Sequence, residues 1–272
     1  MGIINVTPDS FSDGGRYLST QQAIAHAKNL IEEGADILDI GGESTRPGSQ
    51  QVSIDEELKR VIPVLEALID TKIPISVDTS KPEVMKHTIA TGACMINDVN
   101  ALRSPGALEA VAQSTHVQIC LMHMQGIPQT MQANPQYNNI IQEVKDFLLQ
   151  RIEAAKTAGM SQDRLIIDPG FGFGKTLQHN FTLLNRLDQL LDLGVPVLAG
   201  LSRKSMLGAI TGNSVNHRIH ESTAAALLAV VKGAKIVRVH DVKATKEALA
   251  IYDAMRNCDT QEADSTVSNR NS

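Results

Sequence analysis

Eight short apolar runs recur along this chain, each followed by a longer stretch of helical periodicity, and that alternation leaves few folds open. The runs are GIIN (2–5), ADILDI (35–40), IPISVD (73–78), MIND (95–98), VQICLMH (117–123), LIIDPG (165–170), PVLAGLS (196–202) and KIVRVHD (235–241). They are near-continuous rather than alternating in polarity, as strands covered on both faces are. Amphipathic segments lie between them: over 53–70, Ile54, Leu58, Val61, Ile62, Leu65 and Leu68 recur at close to 3.6 residues. Ser53 with Glu56, and Ser80 with Glu83, have the spacing of capping boxes, and Pro82 stands where a first helical turn tolerates it. Eight strand–helix alternations predict an α/β chain with one domain, a (β/α)8 TIM barrel over residues 1–257. An open doubly wound sheet has fewer strands as a rule. It would also carry Gly-x-Gly-x-x-Gly after its first strand, where this chain has PDSFSDGG. Residues 258–272, CDTQEADSTVSNRNS, are polar and aperiodic and are expected as a disordered tail.

Composition narrows the function classes. Aromatics are 3% of the 272 residues and Trp is absent, so the core is aliphatic and an aromatic groove for sugars or peptides is not expected. The net charge of −5 gives no electrostatic case for nucleic acid. No run approaches the roughly 18 apolar residues of a membrane span. MGIINVTPDSF has neither the basic nor the apolar region of a signal peptide. Cys94, Cys120 and Cys258 are odd in number and widely spaced, which speaks against a disulfide framework or a Cys-x-x-Cys metal site. Reduced thiols and a cytoplasmic location are expected.

Barrel enzymes work at the C-terminal ends of their strands. Here those ends carry Asn5, Asp39, Asp78, Asn97 with Asp98, His123, Asp168, Ser202, and Arg238 with His240. Burying so many polar groups is unfavourable unless they meet partners. Asp39 and Asp98 read equally well as turn or cap formers. Asp78, Asn97 and Asp168 form an acidic and amide set suited to the N–H edge of a flat heterocycle. Arg46, Arg203, Lys204, Arg238 and His240 form a basic set suited to phosphate or carboxylate. Together they imply a substrate carrying both.

Several familiar motifs fail. In GFGFGKT (170–176) three residues, not four, separate Gly170 from Gly174-Lys175, so it is not a phosphate-binding P-loop. No His-x-His follows the first strand, and no Gly-x-Ser-x-Gly elbow occurs. His123 reads as a packed strand-end residue.

The segments NVTPDSFSDGG (5–15), GGESTRPG (41–48), SVDTSKPEV (76–84), IND (96–98), LMHMQG (121–126), DPGFGFGK (168–175), LSRKSMLG (201–208) and RVHDV (238–242) resemble, in order, the strand-end motifs of bacterial dihydropteroate synthases. The likeness runs from residue 1 to about 256, and SRKS with RVHD is its most specific pairing. It implies a (β/α)8 barrel that condenses 6-hydroxymethyl-7,8-dihydropterin diphosphate with p-aminobenzoate. By this resemblance Asp78, Asn97, Asp168 and Lys204 hold the pterin, with Arg238 stacked on it. Thr45 also contacts the pterin diphosphate, and Arg46, Arg238 and His240 grip the leaving anion. Lys204, Arg238 and His240 are thereby the catalytic set. Asn5 meets Mg²⁺, the implied cofactor. Thr7, Pro8, Phe11 and Ser202 form the p-aminobenzoate pocket, and loops 6–16 and 43–50 close over the site.

Family members carry a short segment before the first strand, whereas this chain starts within it at Met1, so a less well plugged barrel base is expected. The resemblance also implies a homodimer. The apolar stretch 222–234 suits either an interface helix or a barrel helix packed on its own sheet. The first loop has no insertion and reads as that of a sulfonamide-sensitive enzyme. Two other readings are a pterin-dependent methyltransferase barrel and a pterin-binding barrel without turnover. The first has no use for SRKS and a diphosphate grip.

Overall fold

The computed structural model describes residues 1–6, 16–45 and 48–268, with side chains from Thr20 in the first helix to Cys258 in the last. Thr7, Pro8, Phe11 and Arg46 lie outside the described residues. The elements are β1 (Gly2–Asn5), α1 (Arg16–Glu32), β2 (Leu38–Gly41), α2 (Ile54–Leu68), β3 (Ile75–Asp78), α3 (Pro82–Thr91), β4 (Met95–Asp98), α4 (Ala107–Ala112), β5 (Gln118–Met122), α5 (Ile140–Thr157), β6 (Leu165–Asp168), α6 (Leu177–Asn185), β7 (Leu198–Ala199), α7 (Ser205–Thr211), α8 (Ile219–Val231), β8 (Ile236–Val237) and α9 (Val242–Ser268).

All strand pairs are parallel. β1 to β6 follow one another in a single sheet, and β7 pairs with β8. Single bridges from Ile167 to Val197 and from Gly2 to Val239 close these pieces into a TIM barrel. The Val239 N–H donates to Met1 O at 2.9 Å and the Ile3 N–H to Val239 O at 3.0 Å. β7 and β8 have two residues each, so the ring is thinnest at that seam.

Successive strand residues face opposite sides of a sheet. One set, including Ile4, Leu38, Ile40, Val77, Ile96, Ile119, Leu121, Leu165 and Ile167, packs outward against the helices as the main core. The other faces the barrel axis in layers. Met1, Met95, Cys120, Ile166 and Leu198 fill the base. Met1 sits in this layer, and its amino group donates to Val237 O at 3.0 Å. Above come Asp39 and Ser76, paired in register, and then Asn5, Gly41, Asp78 and Asn97 across four neighbouring strands.

Ser53 caps α2 by accepting the Glu56 N–H at 3.2 Å. The box expected from Ser80 and Glu83 is absent. Pro82 at the first helical position holds its predecessor extended, which makes Lys81 the cap, without a side-chain capping bond. The Lys81 ammonium goes instead to Glu43 and Glu57. α6 starts on a box between Thr176 and His179, hidden from sequence because His replaces the usual Glu or Gln. α9 runs on through Ser268, so 258–268 is helical rather than the expected tail; no Gly or Pro interrupts 242–268. Among the described residues no helix is long and apolar enough to cross a membrane.

The loop after β6 presses on the loop after β5. Gly170 has φ +68°, and a side chain there would run into the His123 carbonyl oxygen. Gly170→Ala is expected to lower unfolding free energy by more than about 2 kcal/mol, from left-handed strain and backbone overlap together. Urea denaturation checks this; an unchanged midpoint would show that the two loops part freely.

Candidate active site

Period-two alternation decides which polar strand-end residues meet. Asn5, Asp39, Asp78, Asn97, Asp168 and Arg238 share the parity of the base-filling residues and point to the axis. Asp98 has the opposite parity. It accepts the N–H groups of Asn100 and Leu102, each at 2.7 Å, and so shapes its own loop. Burial raises its pKa to about 6, against the pull of those two N–H groups.

Arg238 occupies the centre. Its Nε donates to Asp39 Oδ2 at 2.5 Å and its Nη2 to Asp78 Oδ2 at 2.9 Å. Asn97 Nδ2 donates to the same Asp39 oxygen at 3.2 Å. Burial by itself would lower the Arg238 pKa, but the Asp39 and Asp78 carboxylates raise it well above the ordinary value. Asp78 is pushed up by burial, with Arg238 opposing. Asp39 is fully buried, and its Oδ1 and the neighbouring Ser76 Oγ have no protein partner. Asp39 is thus a positioning residue for Arg238 and Asn97. Half-buried Asn5 stands beside Asp78: a Cβ on Gly41 would lie 3.8 Å from Asn5 Oδ1 and 4.0 Å from Asp78 Oδ2.

Asp168 and Lys204 face this cluster. Asp168 Oδ1 accepts the Gly170 N–H at 2.7 Å, which turns the chain sharply into the β6 loop. Burial raises the Asp168 pKa, with Lys204 the largest opposing influence. Lys204 Nζ donates to the Phe171 carbonyl and lies 4.7 Å from the centre of the Phe173 ring. Burial lowers its pKa to about 8, partly offset by Asp168 and reinforced by Arg238.

Ser202 and His240 form a third group. Ser202 Oγ lies 3.0 Å from His240 Nδ1 and accepts the His240 N–H at 3.1 Å. Thr45 is half-buried where the described part of its loop ends. Arg203 does not join the other cations. Its Nε and Nη2 donate to Asp241 at 3.1 and 2.7 Å, tying the loop after β7 to the loop after β8.

The two sets separated by sequence are therefore interleaved. Arg238 sits against two carboxylates and Lys204 against a carbonyl, because unpaired buried charge is strongly disfavoured. Asp39 was left open from sequence between a site residue and a turn former, and the buried Lys175–His123 contact was not singled out. The barrel parity would have decided between the two readings of Asp39. Lys175 lies inside a glycine-rich loop that carries no periodic signal. Among the described residues no three His, Cys, Asp or Glu side chains converge as a metal site. What the chamber offers among the described residues is a carboxylate and amide floor, the two cations Lys204 and Arg238 at its wall with His240 nearby, and an amide at its rim.

The pterin binding enzyme family matches residues 1–240. Over 255 residues the chain is 50% identical to the dihydropteroate synthase of Escherichia coli (strain K12), spanning 93% of this chain and 90% of that protein. It is similar to the solved structure of Xanthomonas albilineans dihydropteroate synthase with 4-aminobenzoic acid. The TM-score there is 0.89 at 55% identity, over 94% of this chain and 92% of that one. It is also similar to Yersinia pestis dihydropteroate synthase in complex with a sulfonamide drug, with a TM-score of 0.90 at 48% identity over 94% of both chains.

Asp39→Ala is expected to lower unfolding free energy by at least about 2 kcal/mol, since it strips a fully buried partner from Arg238 while Asp78 remains. Denaturant titration of the purified variant measures this. A loss within experimental error would mean that Asp78 alone suffices to hold Arg238.

Proposed function

We infer the reaction from one premise, that this chain belongs to the pterin-binding enzyme family: it condenses 6-hydroxymethyl-7,8-dihydropterin diphosphate with p-aminobenzoate, giving 7,8-dihydropteroate and pyrophosphate. The observation that carries this beyond homology is the interleaved chamber around Arg238. The p-aminobenzoate nitrogen attacks the pterin methylene carbon. A C–N bond forms, the C–O bond to the diphosphate breaks, and the leaving group departs with the electron pair. The amine then gives up a proton. Negative charge grows on the leaving group and positive charge on the methylene, so the catalytic demand is electrostatic. An aromatic amine is nucleophilic when neutral, so no strong general base is required.

In this reading Asp78, Asn97 and Asp168 accept and donate along the pterin edge, and Lys204 supplies a charged donor beside Asp168. Arg238, pinned through Nε and Nη2, presents its planar face to the ring. Arg238, His240 and Arg46, with Thr45, take the diphosphate. Thr7, Pro8 and Phe11, with Ser202, receive p-aminobenzoate, and a sulfonamide of similar shape competes there.

Asn5 fits a magnesium ion, because Mg²⁺ keeps several waters and is usually held by one or two protein oxygens together with substrate phosphates. No dedicated carboxylate cage is needed, and the Asn5 amide oxygen at the rim is a suitable single ligand. When bound, the ion neutralises charge on the leaving diphosphate. A second copy of the chain pairs through α8, which buries Ala225, Ala226 and Ala229 on its own barrel and leaves Leu228 and Val231 more than half exposed. The free thiols Cys94, Cys120 and Cys258 suit the reducing cytoplasm.

Pyrophosphate release by the purified chain is expected only when the pterin diphosphate, p-aminobenzoate and Mg²⁺ are all present. Binding of the pterin without release would leave a pterin-binding barrel. Affinity for the pterin diphosphate is expected to weaken as pH rises through about 8, where Lys204 loses its proton. Lys204→Arg should move that alkaline limb upward, since guanidinium stays charged. An identical limb in wild type and variant would assign the titration to another group.

A further inference from the structure

The loop after β2 carries Thr45, and both of its stems are fastened to the barrel mouth. On the entry side Gly42 is pressed against α2: a Cβ there would lie 2.8 Å from Val61 Cγ2 and 3.0 Å from Glu57 Cγ. Arg60, on the same helix, donates through Nη1 to Gly42 O at 2.8 Å. Glu43 comes next, and its carboxylate accepts from the Lys81 ammonium, which also donates to Glu57. On the exit side the Gly48 N–H donates to Pro128 O at 3.2 Å, and Gln129 Nε2 donates to Ser49 O at 3.2 Å. The Ser49 hydroxyl donates to Ser44 O at 2.5 Å, which ties one stem to the other beside Thr45.

The reaction as read above uses neither Glu43 nor Lys81. Glu57 is fully buried on α2, with Lys81 as the partner of its Oε2 and no protein partner on its Oε1. An apolar side chain would pack at that helix position without the cost of burying a carboxylate. What the carboxylate adds is a fixed place for the Lys81 ammonium, which lies between β3 and α3. The Lys81 N–H donates to Thr79 Oγ1 at 3.3 Å and the Thr79 N–H to Asn97 O at 3.1 Å, so the lysine is also held from the strand side. Burial acts to lower the Lys81 pKa, and the hydrogen bonds to Glu43 and Glu57 more than offset it, so the ammonium keeps its charge. A buried carboxylate thus holds a cation, and the cation holds Glu43 at the base of the loop.

We propose that Glu43 is a positioning residue for the diphosphate: fastened through Lys81 to Glu57, it sets the stem of the loop that carries Thr45 to the leaving group. This rests on the dihydropteroate synthase reading, in which Thr45 meets the diphosphate. The sign of the effect separates positioning from plain electrostatics. A carboxylate at the base of an anion-binding loop repels the anion. If Glu43 did nothing else, removing its charge would tighten diphosphate binding. If it sets the loop, the same removal weakens that binding. In the same reading the pterin ring is held by Asp78 on β3, Asn97 on β4 and Asp168 on β6, so its affinity does not depend on this stem.

The test is calorimetric titration of the full chain, with Mg²⁺ present, using two ligands that differ only in the diphosphate. These are 6-hydroxymethyl-7,8-dihydropterin diphosphate and 6-hydroxymethyl-7,8-dihydropterin. Glu43→Ala is expected to weaken binding of the first about tenfold, the scale of one hydrogen bond to a charged group. Binding of the second should stay within about twofold, as for a surface substitution away from a ligand. Unchanged or tighter diphosphate binding, or an equal loss for both ligands, would overturn the proposal. If Glu43→Ala does not fold, Glu43→Asp carries the test. It keeps the charge and withdraws the carboxylate from Lys81 by one methylene, so it should still weaken the diphosphate ligand selectively; wild-type affinity in that variant would refute the positioning role. Wild type run alongside isolates the other failure. If wild type binds neither ligand, the functional reading falls; if it binds both equally, the diphosphate grip falls, and the role of Glu43 with it.

Discussion

The guanidinium of Arg238 is the contact on which the barrel mouth depends. It reaches from the short strand β8 to Asp39 on β2 and Asp78 on β3, across the seam where the backbone ring is joined by single bridges. Buried ion pairs are poor sources of net stability, because desolvation consumes most of the attraction, and apolar replacements of equal volume often do as well. What the pairs provide here is orientation. Two carboxylates on neighbouring strands fix the plane of one guanidinium, and Asn97 shares the Asp39 oxygen, so a rotation of any member disturbs the rest.

The architecture was legible because it follows from period and parity. Near-continuous apolar runs mark strands covered on both faces, and eight of them separated by helices close into one ring. The strand-end residues were legible as a set, since polar groups at the mouth are the exception to an apolar strand. Their individual duties were less so. Asn97 and Asp98 are adjacent, and only alternation says that one faces the axis while the other organises a loop. Asp39 was open between two readings; its place in the register, beside Ser76 and below Asp78, settles it as the partner of Arg238.

What sequence could not supply is pairing between distant residues. Arg203 belongs by type with the other cations, yet its own fork is taken by Asp241, 38 positions away. Lys81 pairs with Glu43, 38 positions away, and with Glu57, 24 away. Lys175 sits in a run of glycines that resembles a phosphate loop, yet its Nζ meets His123 and the Phe173 carbonyl. In each case the local pattern is weak, and the outcome is set by which opposite charge or carbonyl the fold brings near.

The seam and the site are made by the same side chains. β7 and β8 contribute two residues each to the ladder, and the loops beyond them carry Ser202, Lys204, Arg238 and His240. Arg203 with Asp241 and Ser202 with His240 cross-link those two loops, while Arg238 fastens β8 to the far side of the barrel. Where backbone pairing is thinnest, side-chain pairing takes over, and the groups that do so are polar and aimed at the axis. Such an arrangement places donors and charges before substrate arrives, which is what a reaction governed by charge development rather than proton abstraction requires. It also couples closure to chemistry: a substitution that loosens the seam displaces the cations of the site, and one that strips a site cation weakens the closure of the barrel.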